Sequence, residues 1–95
     1  MGLNNDICII IPFLNEESNI ASLLKTLVDF EGKMAPVSIE IIFVDDGSTD
    51  NSINNILSDI NIPNQIKIIK LSKNYGSHAA IRAGILNSNA KYTTV

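Results

Sequence analysis

Residues 39–50 read Ile-Glu-Ile-Ile-Phe-Val-Asp-Asp-Gly-Ser-Thr-Asp, an apolar run that stops on two adjacent carboxylates and then turns. A strand with one face in water would alternate polar and apolar residues. The unbroken Ile41 to Val44, with Ile39 before Glu40, therefore predicts a strand buried on both faces, which means an inner strand of a sheet covered on two sides. Asp45 and Asp46 then emerge at its carboxyl end, where open α/β sheets hold their ligand crevice, and Gly47 allows the chain to turn there.

The remaining segments alternate around this strand. Ile7 to Ile11 is a β-rich run expected to end at Pro12, which cannot donate to a ladder. Ile20, Leu23, Leu24, Leu27 and Val28 follow at the spacing of one helical face, predicting a helix over 16–30 with an acidic first turn and a return at Gly32 and Pro36. Ser48 to Ser52 offers helix-capping side chains, and Ile53, Ile56, Leu57 and Ile60 are the expected buried face of a second helix ended by Pro63. Ile66, Ile68, Ile69 and Leu71, interleaved with lysines, predict a third strand near a sheet edge. A third helix over 77–88 carries Ala79, Ala80, Ala83 and Gly84, small enough to lie close on the sheet, and 91–95 begins a fourth strand. The order β-α-β-α-β-α-β predicts a three-layer, Rossmann-like α/β fold with a parallel sheet. The polar clusters 12–17, 45–50 and 72–78 each follow a strand, so all three converge on one rim.

Composition narrows the partners. Among 95 residues, 45% are hydrophobic and 18% charged, a globular balance and at most one domain. The net charge of −3, with no basic cluster, argues against nucleic acid or an anionic membrane surface. Cys8, the single cysteine, sits in an apolar run and reads as a buried, inert thiol suited to a reducing compartment. No stretch approaches the ~20 apolar residues of a transmembrane span, and Gly2 to Asp6 is not a signal peptide. A soluble, cytoplasmic segment is expected, with any membrane anchor in a continuation.

Singly, each rim cluster has a bland reading: Asn15-Glu16-Glu17 as a helix start, Asp45 to Asp50 as a turn with a cap, Asn74-Tyr75-Gly76 as a loop. His78 is read as a loop or helix-start residue rather than a base. The acidic pair is harder to dismiss, because adjacent like charges need a cation or hydrogen-bond donors, for which a nucleobase N–H, ribose hydroxyls or a metal-bound phosphate are candidates. The first strand–helix turn lacks Gly-x-Gly-x-x-Gly and no Walker-type Gly-Lys-Ser/Thr occurs, so neither a dinucleotide unit nor a P-loop is present.

Three motifs together, Ile-Ile-Pro-Phe-Leu-Asn-Glu-Glu-Ser-Asn-Ile at 10–20, Phe-Val-Asp-Asp-Gly-Ser-Thr-Asp-Asn-Ser at 43–52 and Leu-Ser-Lys-Asn-Tyr-Gly-Ser-His-Ala-Ala-Ile-Arg-Ala-Gly at 71–84, resemble the amino-terminal half of a family 2 glycosyltransferase of the GT-A fold. Ala80-Ile81-Arg82 is similar to the polyprenyl-phosphate branch, which resembles dolichyl-phosphate mannose synthase. The resemblance implies transfer of a sugar from a UDP- or GDP-sugar to a polyprenyl or dolichyl phosphate or a cell-envelope glycan, by a protein attached to the cytoplasmic face of a membrane. It implies that Pro12, Phe13, Leu14 and Asn15 line the base and ribose pocket, Leu14 by apolar contact, with Glu17 near the ribose. Asp46 would accept a hydrogen bond from the base, Asp45 would support its loop, Lys73 would approach the base or phosphates, and Asn74 and Gly76 would shape theirs. The divalent metal (Mg2+ or Mn2+), its Asp-x-Asp, the catalytic base and the acceptor site are expected beyond Val95. No catalytic or metal residue is expected in 1–95, which should be inactive alone and should pair with a second copy through its uncovered sheet edge. The competing readings are a receiver-like signalling module, which gathers acids after its first strand, and a standalone nucleotide-binding domain.

Overall fold

The computed structural model describes residues 5–95; of the polar start, Gly2 to Asn4 lie outside these. Strands β1 (Asn5–Phe13), β2 (Ile39–Asp45), β3 (Ile66–Lys70) and β4 (Ala90–Thr94) alternate with helices α1 (Ile20–Met34), α2 (Ser52–Ser58) and α3 (Ser77–Leu86), and a 3-10 turn, Glu17–Asn19, precedes α1. The strands form one parallel sheet in the order β3-β2-β1-β4. All seven residues of β2 are buried, as its unbroken apolar run predicts, and β3, with its lysines, is an edge strand.

Two cores cover the two faces. On one, Ile20, Leu24 and Leu27 of α1 and Ile56 of α2 pack on Phe13, Ile39, Ile41 and Phe43, the odd-numbered strand positions. On the other, Ala80 of α3 packs on Cys8, Ile10, Ile42 and Val44, the even ones. The small face of α3 is a steric requirement: a Cβ on Gly84 would lie 2.5 Å from Ile10 Cγ2. Glu40 is the exception to the apolar run. It is buried on the α3 side, 3.1 Å from Lys67 Nζ of β3, and accepts a hydrogen bond from the Asn89 N–H that opens β4.

Several boundaries differ from the sequence expectation. β1 passes through Pro12 to Phe13. The Ile7 N–H and the Phe13 carbonyl both bond on the β2 side, so Pro12 faces the other way, past Ile9, the last residue paired with β4, and its missing N–H breaks no ladder bond. α1 starts later, with Glu17 in the 3-10 turn and no acid in its own first turn, and runs on to Met34 through Gly32. Gly32 faces solvent, so its cost is the propensity loss alone, about 1 kcal/mol. α2 ends at Ser58, before the periodic pattern does. Leu57, inside the helix, is exposed, and Ile60 lies beyond it at 96% exposure, while Ser52 takes the buried place beside Ile56.

Candidate functional site

The register of the sheet levels the rim. Phe13 pairs with Asp45 and Asp45 with Lys70, so β1, β2 and β3 end at one height and their following loops start side by side. Three polar clusters separated by about thirty residues each are brought together in this way. Each is then tied to its neighbour.

The loop after β1 and the loop after β2 are joined by reciprocal hydrogen bonds. Asn15, whose φ is +53°, donates its N–H to Ser48 Oγ at 2.8 Å and accepts at Oδ1 from the Thr49 and Asp50 N–H groups at 2.8 and 3.3 Å. Asn is among the few residues that reach this backbone region without glycine. Glu16 N–H donates to Ser52 Oγ at 2.9 Å and Glu17 N–H to Asp50 Oδ2 at 3.1 Å, while Glu17 Oε2 accepts from Asn51 N–H at 3.3 Å. Asp50 Oδ1 accepts from both the N–H and the hydroxyl of Ser52, at 3.0 and 2.6 Å. Burial raises the Asp50 carboxyl, but the Ser52 hydroxyl and the Glu17 and Ser52 N–H groups outweigh it and hold the group below the usual carboxylate range.

The loops after β2 and β3 are joined through Asp46. Its carboxylate is 6% exposed and accepts the Tyr75 N–H at Oδ1 (2.8 Å) and the Gly76 N–H at Oδ2 (3.0 Å), while its own N–H donates to the Phe13 carbonyl. Asp45 turns back on its own loop and accepts the Ser48 N–H at 2.7 Å, and its carbonyl accepts from Leu71 N–H. Gly47, at φ +92°, permits the approach, since a Cβ there would stand 2.6 Å from Asn74 N. Asn74 Oδ1 accepts from Gly76 N–H, and Gly76 itself has φ +94°. Lys73 Nζ lies 5.3 Å from the centroid of the exposed Tyr75 ring.

These contacts revise the argument from the acidic pair. The chain's own backbone N–H groups satisfy both carboxylates, so the pair needs no external cation to be stable. Each Asp46 oxygen, having accepted one N–H, keeps a further lone pair for a ligand. The ring of Phe13 is turned into the core, edge-on to Phe43 at 6.4 Å, and the contribution of this residue to the rim is its carbonyl. Pro12 is half-buried, Leu14 exposed, and the side chains of Asn15 and Glu17 are spent on the neighbouring loop. Ser48, Asp50 and Ser52, treated in the sequence only as capping residues, are the other half of that joint. Their signal was the density of short polar side chains, which does not reveal a partner more than thirty residues away.

A cavity of about 290 Å³ opens beside the rim, lined by Ile11, Pro12, Phe13, Glu16, Asn19, Ile20 and Leu23. Its walls are mainly apolar, and Glu16 and Asn19 at its polar end bond to each other. Around Asp46, by contrast, backbone donors, a carboxylate acceptor, an aromatic ring and a cation meet. Among the described residues no group of three His, Cys, Asp or Glu could hold a metal ion, so the site as described does not fit a divalent cation.

Fold and rim together define the class, a parallel α/β unit of the GT-A glycosyltransferase kind. It superimposes with a TM-score of 0.69 on a mannosyltransferase from Pyrobaculum calidifontis in complex with GDP-Man and Mn2+, at 17% identity, over 90% of this chain and 27% of that one. Residues 8–95 match the family model of glycosyl transferase family 2, and the chain belongs to that family. It is 40% identical over 81 residues to an undecaprenyl-phosphate 4-deoxy-4-formamido-L-arabinose transferase of Proteus mirabilis, covering 84% of this chain and 24% of that protein. It is 38% identical over 82 residues to an uncharacterised glycosyltransferase of Synechocystis sp., covering 84% and 25%. The chain thus spans about a quarter of the length of the curated relatives it matches. Family membership sets aside the receiver-like alternative, whose acids follow the first strand. Among the described residues no helix is long and apolar enough to cross a membrane.

Proposed function

We propose that residues 1–95 are the donor-nucleotide-binding part of a glycosyltransferase that moves a sugar from a UDP- or GDP-sugar to a polyprenyl phosphate. The observation that carries this reading is the position of Asp46, buried at the carboxyl end of an inner strand between two loops, with acceptor capacity left for a base N–H. Asp45 holds the turn, Asn15, Glu17, Asn74 and Gly76 set the shape of the three loops, Leu14 and Pro12 offer apolar contact, and Lys73 offers a positive charge to the base or phosphates. The lipid-phosphate acceptor is supported by the undecaprenyl-phosphate transferases among the relatives, and the nucleotide donor and divalent metal by the GDP-Man and Mn2+ bound to the structural neighbour. A metal would neutralise charge on the leaving diphosphate. Its ligands, the catalytic base and the acceptor site belong to parts of the protein other than 1–95, which alone binds donor without transferring sugar, and the whole protein works at the cytoplasmic face of a membrane.

Asp46→Ala tests the reading. Loss of a hydrogen bond to a charged group costs about 1.5–3 kcal/mol, so nucleotide affinity should fall roughly 10- to 150-fold in titration calorimetry. Equal affinities in wild type and variant would leave Asp46 as a loop fastener and remove the base contact from the proposal.

A further inference from the structure

We propose that Tyr75 is the aromatic platform on which the donor's nucleobase stacks, and that Lys73, already poised over the ring, meets the nucleotide's negative charge. The proposal rests on the donor reading above and adds to it a base-binding residue outside the residues first expected to hold the base.

Tyr75 is half exposed, yet its place is fixed from several sides. Its N–H is held by Asp46 Oδ1 at 2.8 Å, and the next N–H, of Gly76, by Asp46 Oδ2 at 3.0 Å and Asn74 Oδ1 at 3.0 Å. Its hydroxyl lies 3.1 Å from Ser72 Oγ, so the ring is folded back along its own loop. An exposed ring gains little from folding, and fixing its loop costs conformational entropy, so an aromatic surface held in the open is what a ligand's flat face would use. Two features single it out from the other exposed aromatics, Phe30 and Tyr92. One is the Lys73 ammonium, 5.3 Å from the ring centroid. The other is the Asp46 carboxylate, bonded directly to the Tyr75 backbone. A flat π surface, a cation and a carboxylate acceptor in one loop cluster match the three parts of a nucleotide: a heteroaromatic ring, an anionic phosphate chain and a base N–H. Every base has such a face, so the platform tolerates purine or pyrimidine, and discrimination between them falls to the base edge.

The chain has two tyrosines and no tryptophan, so ring-proton NMR resolves the platform directly. On titration with GDP or UDP, the Tyr75 ring resonances should move upfield by ring-current shielding while those of Tyr92 stay in place. Tyr75→Ala should weaken GDP or UDP binding roughly 5- to 150-fold, the range found for removing one base–aromatic stack, and leave inorganic pyrophosphate binding unchanged. Tyr75→Phe, which keeps the face and loses only the hydroxyl, should bind within about threefold of wild type. Wild-type binding that depends on Asp46 but not on Tyr75 would overturn the platform and spare the donor reading. Equal loss of nucleotide and pyrophosphate binding in Tyr75→Ala would show a loop collapse and also overturn it. A wild type that binds neither nucleotide overturns both.

Discussion

Replacing Gly47 by alanine should separate the loops after β2 and β3, and the cost can be worked from the geometry. At φ +92° a residue with a Cβ occupies a strained region, at about 1–3 kcal/mol. The new Cβ would also stand 2.6 Å from Asn74 N and 2.7 Å from Lys73 C, both backbone atoms that no rotamer change can move. Overpacking of this kind adds about 1–3 kcal/mol. Gly76→Ala isolates the two contributions. Its φ is +94°, but nothing lies within 4 Å of the position of its Cβ, so it carries the backbone cost alone. For a domain of this size each kcal/mol shifts the melting temperature by about 4–8 °C, so Gly47→Ala should melt roughly 5–20 °C below Gly76→Ala, and both below wild type. Thermal unfolding followed by circular dichroism measures this directly. Variants melting within about 2 °C of each other would mean that the loops do not meet at Gly47, and the coupling of Asp46 to the 72–76 loop would fall with it.

Three further outcomes are expected. Ser52→Ala removes the hydroxyl shared by Glu16 N–H and Asp50 and should lower stability by about 1–3 kcal/mol, read as a thermal shift, and an unchanged melting temperature would refute this. The Asp50 carboxyl is held below its ordinary value of 3.8, so its stabilisation is complete above that pH and is lost as pH falls through the lower folded-state value. Asp6, lowered chiefly by the Ser38 N–H, titrates in the same window, so the acid unfolding curve of Asp50→Asn, flatter than wild type yet still falling, separates the two. The outer edge of β4, exposed over 91–95, should pair with a second copy, and sedimentation at micromolar concentration showing only a ~10 kDa species would refute this.

The parts of this fold legible in the sequence were those governed by local pattern. Ile39 to Val44 could be read as buried on both faces because no polar residue interrupts it except Glu40, which is itself buried, and the small residues of α3 could be read as a close-packing face. Helix ends were less legible. Apolar periodicity continues past Ser58 through Ile60, and nothing local shows that the chain leaves the helix there; the spacing likewise passes no judgement on Gly32, which α1 tolerates because that side meets solvent. The rim's location was legible from the three strand ends. Its wiring was not, since the Asn15–Asp50 and Asp46–Gly76 bonds join residues thirty or more positions apart and depend on the strand register. The adjacent carboxylates do need hydrogen-bond donors, but the sequence could not show that the chain supplies these itself, from the Gly47 turn and from a loop of the next strand.

The central claim is that the carboxyl-terminal rim of the sheet recognises a nucleotide through Asp46. Amide NMR of the 15N-labelled chain, titrated with GDP and with UDP, tests it most directly. The largest shifts should fall on the Ser48, Tyr75 and Gly76 N–H groups, and Asp46→Ala should need roughly 10- to 150-fold more nucleotide to produce them. Shifts centred on Glu40, Lys67 and Asn89 at the opposite end of the sheet, or none with either nucleotide, would contradict it.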